Sequence, residues 1–132
     1  MVFVDTSFLV AALNPADDHF EAAVSLAPVL ETARPLTTNH VVGESWTLVG
    51  RRYGRHIAVR LLRSLRDNAR YTIVHVDSDA EERAFDWLLR HDEREYSFVD
   101  ATSFEIMRGH GIEEALAFDH DFEAAGYRTI RP

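Results

Sequence analysis

Short apolar runs rich in β-branched residues alternate along this chain with longer segments whose apolar residues recur every three or four positions. The short runs predict strands, and the periodic segments predict amphipathic helices. We expect strands over residues 2–5, 35–37, 72–76, 115–118 and 127–130. We expect helices over residues 6–13, 40–53, 55–69, 78–89, 98–107 and 121–125. A further helix is expected to begin at residue 16, with a bend or break at Pro28.

This regular alternation of strand and helix predicts an α/β fold. The fold expected is a three-layer α/β/α sandwich around a mostly parallel central sheet. The chain has 132 residues and no linker or low-complexity tract, so we expect a single domain over residues 1–132. Hydroxyl side chains at the predicted helix starts are expected caps: Thr6 or Ser7 for the first helix and Ser78 for the fifth.

The sequence contains neither cysteine nor lysine. Without cysteine there is no disulfide scaffold, thiolate zinc site or cysteine nucleophile. All 14 basic residues are arginine, so mechanisms that need a lysine amine are excluded, including P-loop phosphate binding and Schiff-base chemistry. The first apolar run is short and is interrupted by Asp5, which is typical of neither a signal peptide nor a membrane span. We therefore expect a cytoplasmic location and no membrane partner.

The formal net charge of −8 conceals one basic segment in an acidic chain. Residues 51–70 carry seven arginines against a single acid, Asp67. Within this segment, Arg60 and Arg63 point away from the apolar stripe of the predicted helix. They are candidates for holding RNA phosphates, and the alternative is an ordinary solvated helix face.

Four acidic residues are candidates for a functional site because of their positions in the predicted elements. Asp5 and Asp119 each follow a predicted strand, so both side chains should emerge at the same edge of the sheet. Asp100 lies at the start of a predicted helix within SFVDATSF, where a role as N-cap is the simplest alternative. Glu44 lies within the apolar stretch HVVGESWTLV, where a solvated helix position is the alternative.

If these four acids converge, they need a cation. Two carboxylates roughly 4 Å apart repel each other by about 4 kcal/mol at an effective dielectric constant near 20. With lysine and cysteine absent, a divalent ion with oxygen ligands is the natural compensation, and Mg²⁺ or Mn²⁺ suits carboxylates and water. Such an ion supports phosphodiester hydrolysis. Asp121 can hold a second ion or cap the turn that follows it, and His120 is the histidine nearest to these acids in the sequence.

These motifs, taken in order, resemble those of the PIN-domain nucleases, in particular the VapC toxins of bacterial toxin–antitoxin pairs. The resemblance rests on VDTS, Glu44, SFVDATSF and FDHDF, and it covers essentially the whole chain. It implies a magnesium-dependent endoribonuclease. The residues that it assigns are the catalytic acids Asp5, Glu44, Asp100 and Asp119 and the supporting hydroxyls Thr6, Ser7 and Ser97. One departure is Ala117, where many members of the family have Thr or Ser two residues before the last acid.

Two segments are similar to those of a VapC subgroup that cuts the sarcin–ricin loop of 23S ribosomal RNA. These segments are RHDEREYSFVDATSF and TTNHVVGESWTL. This similarity implies inhibition of translation as the outcome. The alternatives are the same nuclease acting on tRNA or mRNA, or an inactive PIN-like binding module. Haloacid-dehalogenase phosphatases and response-regulator receivers fit poorly, because both use a lysine.

The resemblance also implies partners, namely a VapB-type antitoxin and a second copy of the chain in a homodimer. Apolar residues at helical spacing are the candidates for the antitoxin groove, and the alternative is that they only fill the core. These residues are Phe20, Val24, Trp46, Val49 and Tyr53.

Overall fold

In a computed structural model that describes all 132 residues, five parallel strands form a single sheet. The strands are β1 (Val2–Val4), β2 (Pro35–Thr38), β3 (Thr72–Val74), β4 (Glu114–Leu116) and β5 (Arg128–Thr129). Their order across the sheet is β3-β2-β1-β4-β5, which makes β1 the central strand. β1 pairs with β2 through Phe3 and Leu36, and with β4 through Val4 and Leu116. Each expected strand is present, and the sheet is parallel throughout.

Seven helices connect and cover these strands. They are α1 (Thr6–Ala11), α2 (Phe20–Thr32), α3 (Asn39–Tyr53), α4 (Arg55–Asp67), α5 (Ser78–Arg90), α6 (Phe98–His110) and α7 (Asp121–Ala124). The chain first moves from β1 outward to β3, and then crosses back to β4 and moves outward to β5. Because crossovers between parallel strands are right-handed, this reversal places α1–α4 on one face and α5–α7 on the other. The three-layer α/β/α sandwich is confirmed.

The core lies on both faces of the three inner strands. Phe3, Val4, Leu36 and Leu116 are almost fully buried, as expected for strands covered by helices on both sides. Phe122 of α7 reaches the same core and packs against Phe3, with ring centroids 5.9 Å apart. No helix combines the length and the apolar character needed to cross a bilayer.

Two of the expected helix caps are wrong. Asp5, not Thr6 or Ser7, caps α1, because its carboxylate accepts a hydrogen bond from the backbone N–H of Ser7. Asp77, not Ser78, caps α5 through the N–H of Ala80. In both cases the acid has extended backbone and the hydroxyl residues are already helical, so the acid is the residue that can reach the free N–H groups.

Pro28 does not divide its helix, contrary to expectation, since α2 runs unbroken from Phe20 to Thr32. Proline removes the hydrogen bond to the carbonyl four residues earlier, which here belongs to Val24. Val24 is 53% exposed, so the face that loses this bond is open to water. The helix therefore continues through the proline.

Gly54 separates α3 from α4 with a φ angle of +91°, a value that residues with a Cβ rarely adopt. The turn allows α4 to fold back on α3. Ala58, Leu61 and Leu65 are the buried residues of α4, while Arg60 and Arg63 are exposed. The basic outer face expected for this helix is confirmed.

Candidate active site

The chain reverses direction between β1 and β4, and acidic residues follow both strands at this point. Open parallel sheets form a crevice at the carboxyl ends of the strands on either side of such a reversal. Asp5 directly follows β1, and its backbone N–H donates to the carbonyl of Leu116 in β4 at 3.1 Å. Asp119 lies three residues beyond β4. The sheet therefore brings Asp5 and Asp119 to one edge, as expected.

α6 supplies a third carboxylate to this edge. One oxygen from each of Asp5, Asp100 and Asp119 lies within 4.8 Å of the oxygens of the other two. Asp5 is 3% exposed and Asp100 is 8% exposed, and none of the three forms an ion pair with an arginine or histidine. Asp119 is half-buried. Three unpaired carboxylates with only oxygen donors match the ligand preference of Mg²⁺ and Mn²⁺. The donor set thus fits a divalent cation.

The cost of this arrangement appears in the pKa values of the three acids. Burial raises the pKa of Asp5 to about 6, and the charges of Asp100 and Glu44 add to this effect against the opposing Ser7 hydrogen bonds. Burial likewise raises the pKa of Asp100 to about 6, with Asp121 and Asp119 adding to it. The pKa of Asp119 is raised to about 7 by burial and then by the charge of Asp5. A nearby positive charge would therefore lower these pKa values and stabilise the fully ionised form of the three acids.

Two serines orient two of these carboxylates, Ser7 through its hydroxyl and Ser97 through its backbone N–H. The Ser7 Oγ donates to Asp5 Oδ2 at 2.6 Å. Ser97 is the N-cap of α6, and its Oγ accepts from the N–H of Asp100 at 3.0 Å, while Asp100 Oδ2 accepts from the N–H of Ser97 at 3.1 Å. The N-cap alternative for Asp100 is therefore wrong, because Asp100 is the third residue of a reciprocal capping box. Thr6 is buried, and its Oγ1 accepts from Ser45 Oγ at 3.2 Å.

Glu44 and Asp121 line the same cleft but lie outside this group of three. Glu44 projects from α3 and is half-buried. The Asp121 Oδ1 accepts from Arg94 Nε at 2.5 Å, and the Asp121 N–H donates to Asp119 Oδ1 at 3.2 Å. Asp121 thus supports Asp119 directly, and its own charge is paired. Ala117 is buried and has no hydroxyl group, so its side chain offers the site no hydrogen bond.

The three acids lie in a cleft of about 500 Å³. Its lining includes Arg52 and His19, which the sequence did not single out. Glu44, Leu48 and Arg52 are spaced four residues apart on α3 and share the cleft face, so helical spacing from Glu44 is the signal that would have found Arg52. His19 comes from the loop before α2 and carries no such signal.

Several other candidate residues lie elsewhere. Arg60 and Arg63 do not line the cleft, and His120 is exposed and does not line it either. Of the residues expected to form an apolar groove, Val49 is fully buried in the core and cannot contact a partner, so that assignment is wrong. Val24 is exposed, whereas Phe20, Trp46 and Tyr53 are half-buried.

Comparison with known proteins gives one consistent result. The model of the PIN domain family matches residues 2–126. The 23S rRNA-specific endonuclease VapC20 of Mycobacterium tuberculosis, in the CDC 1551 and H37Rv strains, is 49% identical over 136 aligned positions, which cover all of this chain and 99% of the relative. The crystal structure of M. tuberculosis VapC20, described as a sarcin–ricin loop cleaving toxin, superposes with a TM-score of 0.94 at 48% identity over the full length of both chains.

Proposed function

Because the chain belongs to the PIN-domain family, we propose that it is a Mg²⁺-dependent endoribonuclease that hydrolyses phosphodiester bonds in structured RNA. The single observation that carries this proposal is the cluster of three carboxylates without a cationic partner, in which Asp5 and Asp100 are buried and Asp119 is half-buried. An inactive binding module has no need of such a costly cluster. Mn²⁺ has the same ligand preference and is expected to replace Mg²⁺.

Each acid has a distinct role in this proposal. Asp5, Asp100 and Asp119 hold the cation, and Asp121 supports Asp119 through its backbone N–H. Glu44 faces the same cleft, where its carboxylate can accept a hydrogen bond from the attacking water and orient it toward the phosphorus atom. When bound, a divalent cation there supplies charge neutralisation at the phosphate and lowers the pKa of water. Ser7 and Ser97 fix the orientation of the Asp5 and Asp100 carboxylates.

Arg52 supplies the positive charge that an RNA phosphate needs at an otherwise acidic cleft. Its guanidinium lies two helical turns from Glu44 on the same face of α3. Arginine binds phosphate oxygens through paired N–H donors. Arg60 and Arg63, exposed on α4, are proposed to hold phosphates farther along the RNA.

We propose the sarcin–ricin loop of 23S ribosomal RNA as the substrate, so that cleavage inhibits translation. The support is the near-complete match in length and fold to VapC20, whose description names that RNA. A ribosomal substrate places the enzyme in the cytoplasm. Cleavage of tRNA or mRNA in preference to this loop would show that the specificity has diverged from that of the relative.

Direct cleavage assays test the proposal. A sarcin–ricin loop hairpin and a tRNA are incubated with the protein in Mg²⁺, in Mn²⁺, and in EDTA. We expect cleavage of the hairpin in either metal and none in EDTA. Asp5→Asn should lose cleavage, whereas Asp86→Asn, an exposed acid on α5, should retain it. Metal-independent cleavage, or full activity of Asp5→Asn, would contradict the assigned chemistry.

A VapB-type antitoxin and a second copy of this chain are the proposed protein partners. Val24 on α2 is an exposed apolar residue available to an antitoxin tail. The oligomeric state is tested by light scattering of the purified chain, with and without the coexpressed antitoxin. We expect a dimer of this chain alone and a heavier complex with the antitoxin. RNA cleavage should occur without the antitoxin and be lost with it.

A further inference from the structure

A column of three aromatic rings runs from the core to the floor of the cleft. Phe8 of α1 is 2% exposed, and Phe118 stacks on it with ring centroids 5.8 Å apart. His19 stacks on Phe118 with centroids 4.7 Å apart and planes inclined by 3°. Phe118, the middle ring, immediately precedes Asp119, and His19, the last ring, lines the same cleft as the carboxylates that we propose as cation ligands.

His19 is the outermost ring of this column. It is an exposed residue, and Phe118 covers one face of its imidazole. No other aromatic ring stacks on the face that points away from Phe118. His19 lines the cleft together with Asp5, Asp100 and Asp119. A flat group that enters the cleft can thus lie parallel to this ring.

The loop that carries His19 is held in place by its own hydrogen bonds. The N–H of His19 donates to Asp17 Oδ1 at 2.8 Å, and the N–H of Ala16 donates to Asn14 Oδ1 at 3.0 Å. The Asn14 amide also donates to the hydroxyl of Tyr53 on α3 at 3.3 Å, which ties the loop to a helix. The ring is therefore positioned before any substrate arrives, and stacking on it needs little reorganisation.

We propose that His19 is a stacking platform for an unpaired RNA base next to the scissile phosphate. The inference rests on the endoribonuclease function proposed above and adds a determinant of how the substrate is positioned. Unstacked bases in RNA loops are commonly recognised by stacking on aromatic or histidine rings. Because every base has a π-face, this contact contributes affinity and placement with little sequence preference.

Three variants separate stacking from the other roles of an imidazole. His19→Ala removes the platform, and His19→Phe keeps a ring but removes both nitrogens. His56→Ala, at an exposed histidine that does not line the cleft, is the matched control. For hairpin cleavage in Mg²⁺, we expect His19→Ala to raise KM about tenfold with kcat little changed. His19→Phe and His56→Ala should remain close to wild type.

Fluorescence reports the stacking itself. Each loop base of the hairpin is replaced in turn by 2-aminopurine, whose emission falls when the base stacks, and binding is measured with Ca²⁺ in place of Mg²⁺. One position should be quenched by wild type and His19→Phe and not by His19→Ala. Thermal melting of each variant checks that the loop and the core are intact.

The outcomes separate the two proposals. If His19→Phe is as impaired as His19→Ala, a ring nitrogen is required and the stacking role is overturned. If His19→Ala equals wild type in KM and quenching, the platform is overturned and the nuclease stands. If the wild type quenches one base but does not cleave the RNA, the stacking role stands and the nuclease falls. Failure of the wild type to bind the hairpin overturns both.

Discussion

The Oγ atom of Ser7 accepts a hydrogen bond from the backbone N–H of Phe118 at 2.9 Å, across 111 residues of sequence. The same hydroxyl donates to Asp5 at 2.6 Å. One side chain thus fixes the carboxylate that follows β1 and the backbone just before Asp119. The relative position of two of the proposed cation ligands depends on this hydroxyl.

Replacing Ser7 with alanine should therefore weaken metal binding and reduce cleavage while the fold is retained. The loss leaves the Phe118 N–H without its partner, for which we expect a destabilisation of roughly 1–3 kcal/mol. Isothermal titration with Mn²⁺ and urea unfolding measure the two effects. Ser25→Ala, which removes an exposed hydroxyl on α2, is the control. Unchanged Mn²⁺ affinity in Ser7→Ala would show that the hydroxyl does not organise the site.

The metal-free protein should lose stability as the pH rises from about 4 to about 7. Over this range the folded state binds more protons than the unfolded state, because the folded pKa values of Asp5, Asp100 and Asp119 are raised to about 6, 6 and 7. Stability therefore decreases with pH and levels off above the folded pKa values. Melting temperatures in EDTA measure this slope, and saturating Mg²⁺ should restore most stability at the high-pH end.

Asp119→Asn should raise the melting temperature of the metal-free protein at neutral pH and abolish cleavage. The amide removes one of three mutually repelling charges and one ligand of the proposed cation. Its Tm in EDTA should also depend less steeply on pH than that of the wild type. Asp86→Asn, which makes the same substitution at an exposed acid on α5, is the control. A lower Tm for Asp119→Asn at neutral pH in EDTA would contradict the electrostatic account of the cluster.

Charge-reversal variants should weaken RNA binding more when the arginine lines the cleft than when it lies outside it. Arg52→Glu should weaken hairpin binding most, because Arg52 lines the cleft, whereas Arg60→Glu and Arg63→Glu should have smaller effects. Each lost phosphate contact lowers the slope of log affinity against log salt by about 0.7–0.9. Fluorescence anisotropy from 50 to 300 mM salt measures that slope. If the α4 variants lose as much as Arg52→Glu, the RNA path centres on α4.

The Arg94–Asp121 pair predicts one tightly bound Mn²⁺ per chain. Arg94 already neutralises the Asp121 carboxylate, which leaves three free acids for one ion. Arg94→Gln frees Asp121 and should add a weaker second site. Its stability should change little, because the Arg94 side chain is solvent-exposed. Isothermal titration calorimetry gives the number of Mn²⁺ ions bound per chain and so tests this prediction. Two tightly bound ions in the wild type would indicate that Asp121 is itself a metal ligand.

Much of this fold was predictable because its signals are local. The alternation of strands and helices and the acids that follow β1 and β4 depend on periodicity and on a general rule for parallel sheets, and both were found at the expected places. Arg52 also carried a local signal in its four-residue spacing from Leu48 and Glu44. The element ends were less exact, since an acid one residue earlier can outcompete a hydroxyl for the same free N–H groups, as Asp5 and Asp77 do.

The rest depended on tertiary contacts that no local pattern records. Val49 and Trp46 repeat at similar helical spacing, but only the structure shows that Val49 is fully buried while Trp46 remains half-exposed under Arg55. His19 gains its place from Phe118, which is distant in sequence. The pairing of Asp121 with Arg94 likewise joins the start of α7 to the loop between α5 and α6.

The insertion of β4 beside β1 has a consequence for the cell that makes this protein. A ribosome extends the polypeptide from its amino end, so Asp5 emerges early while Asp119 and Phe118 emerge late. Until β4 pairs with β1, the proposed cation lacks a complete set of ligands. Under the proposed function, the nascent chain therefore cannot cleave the ribosome that is building it, and cleavage begins only with the finished fold.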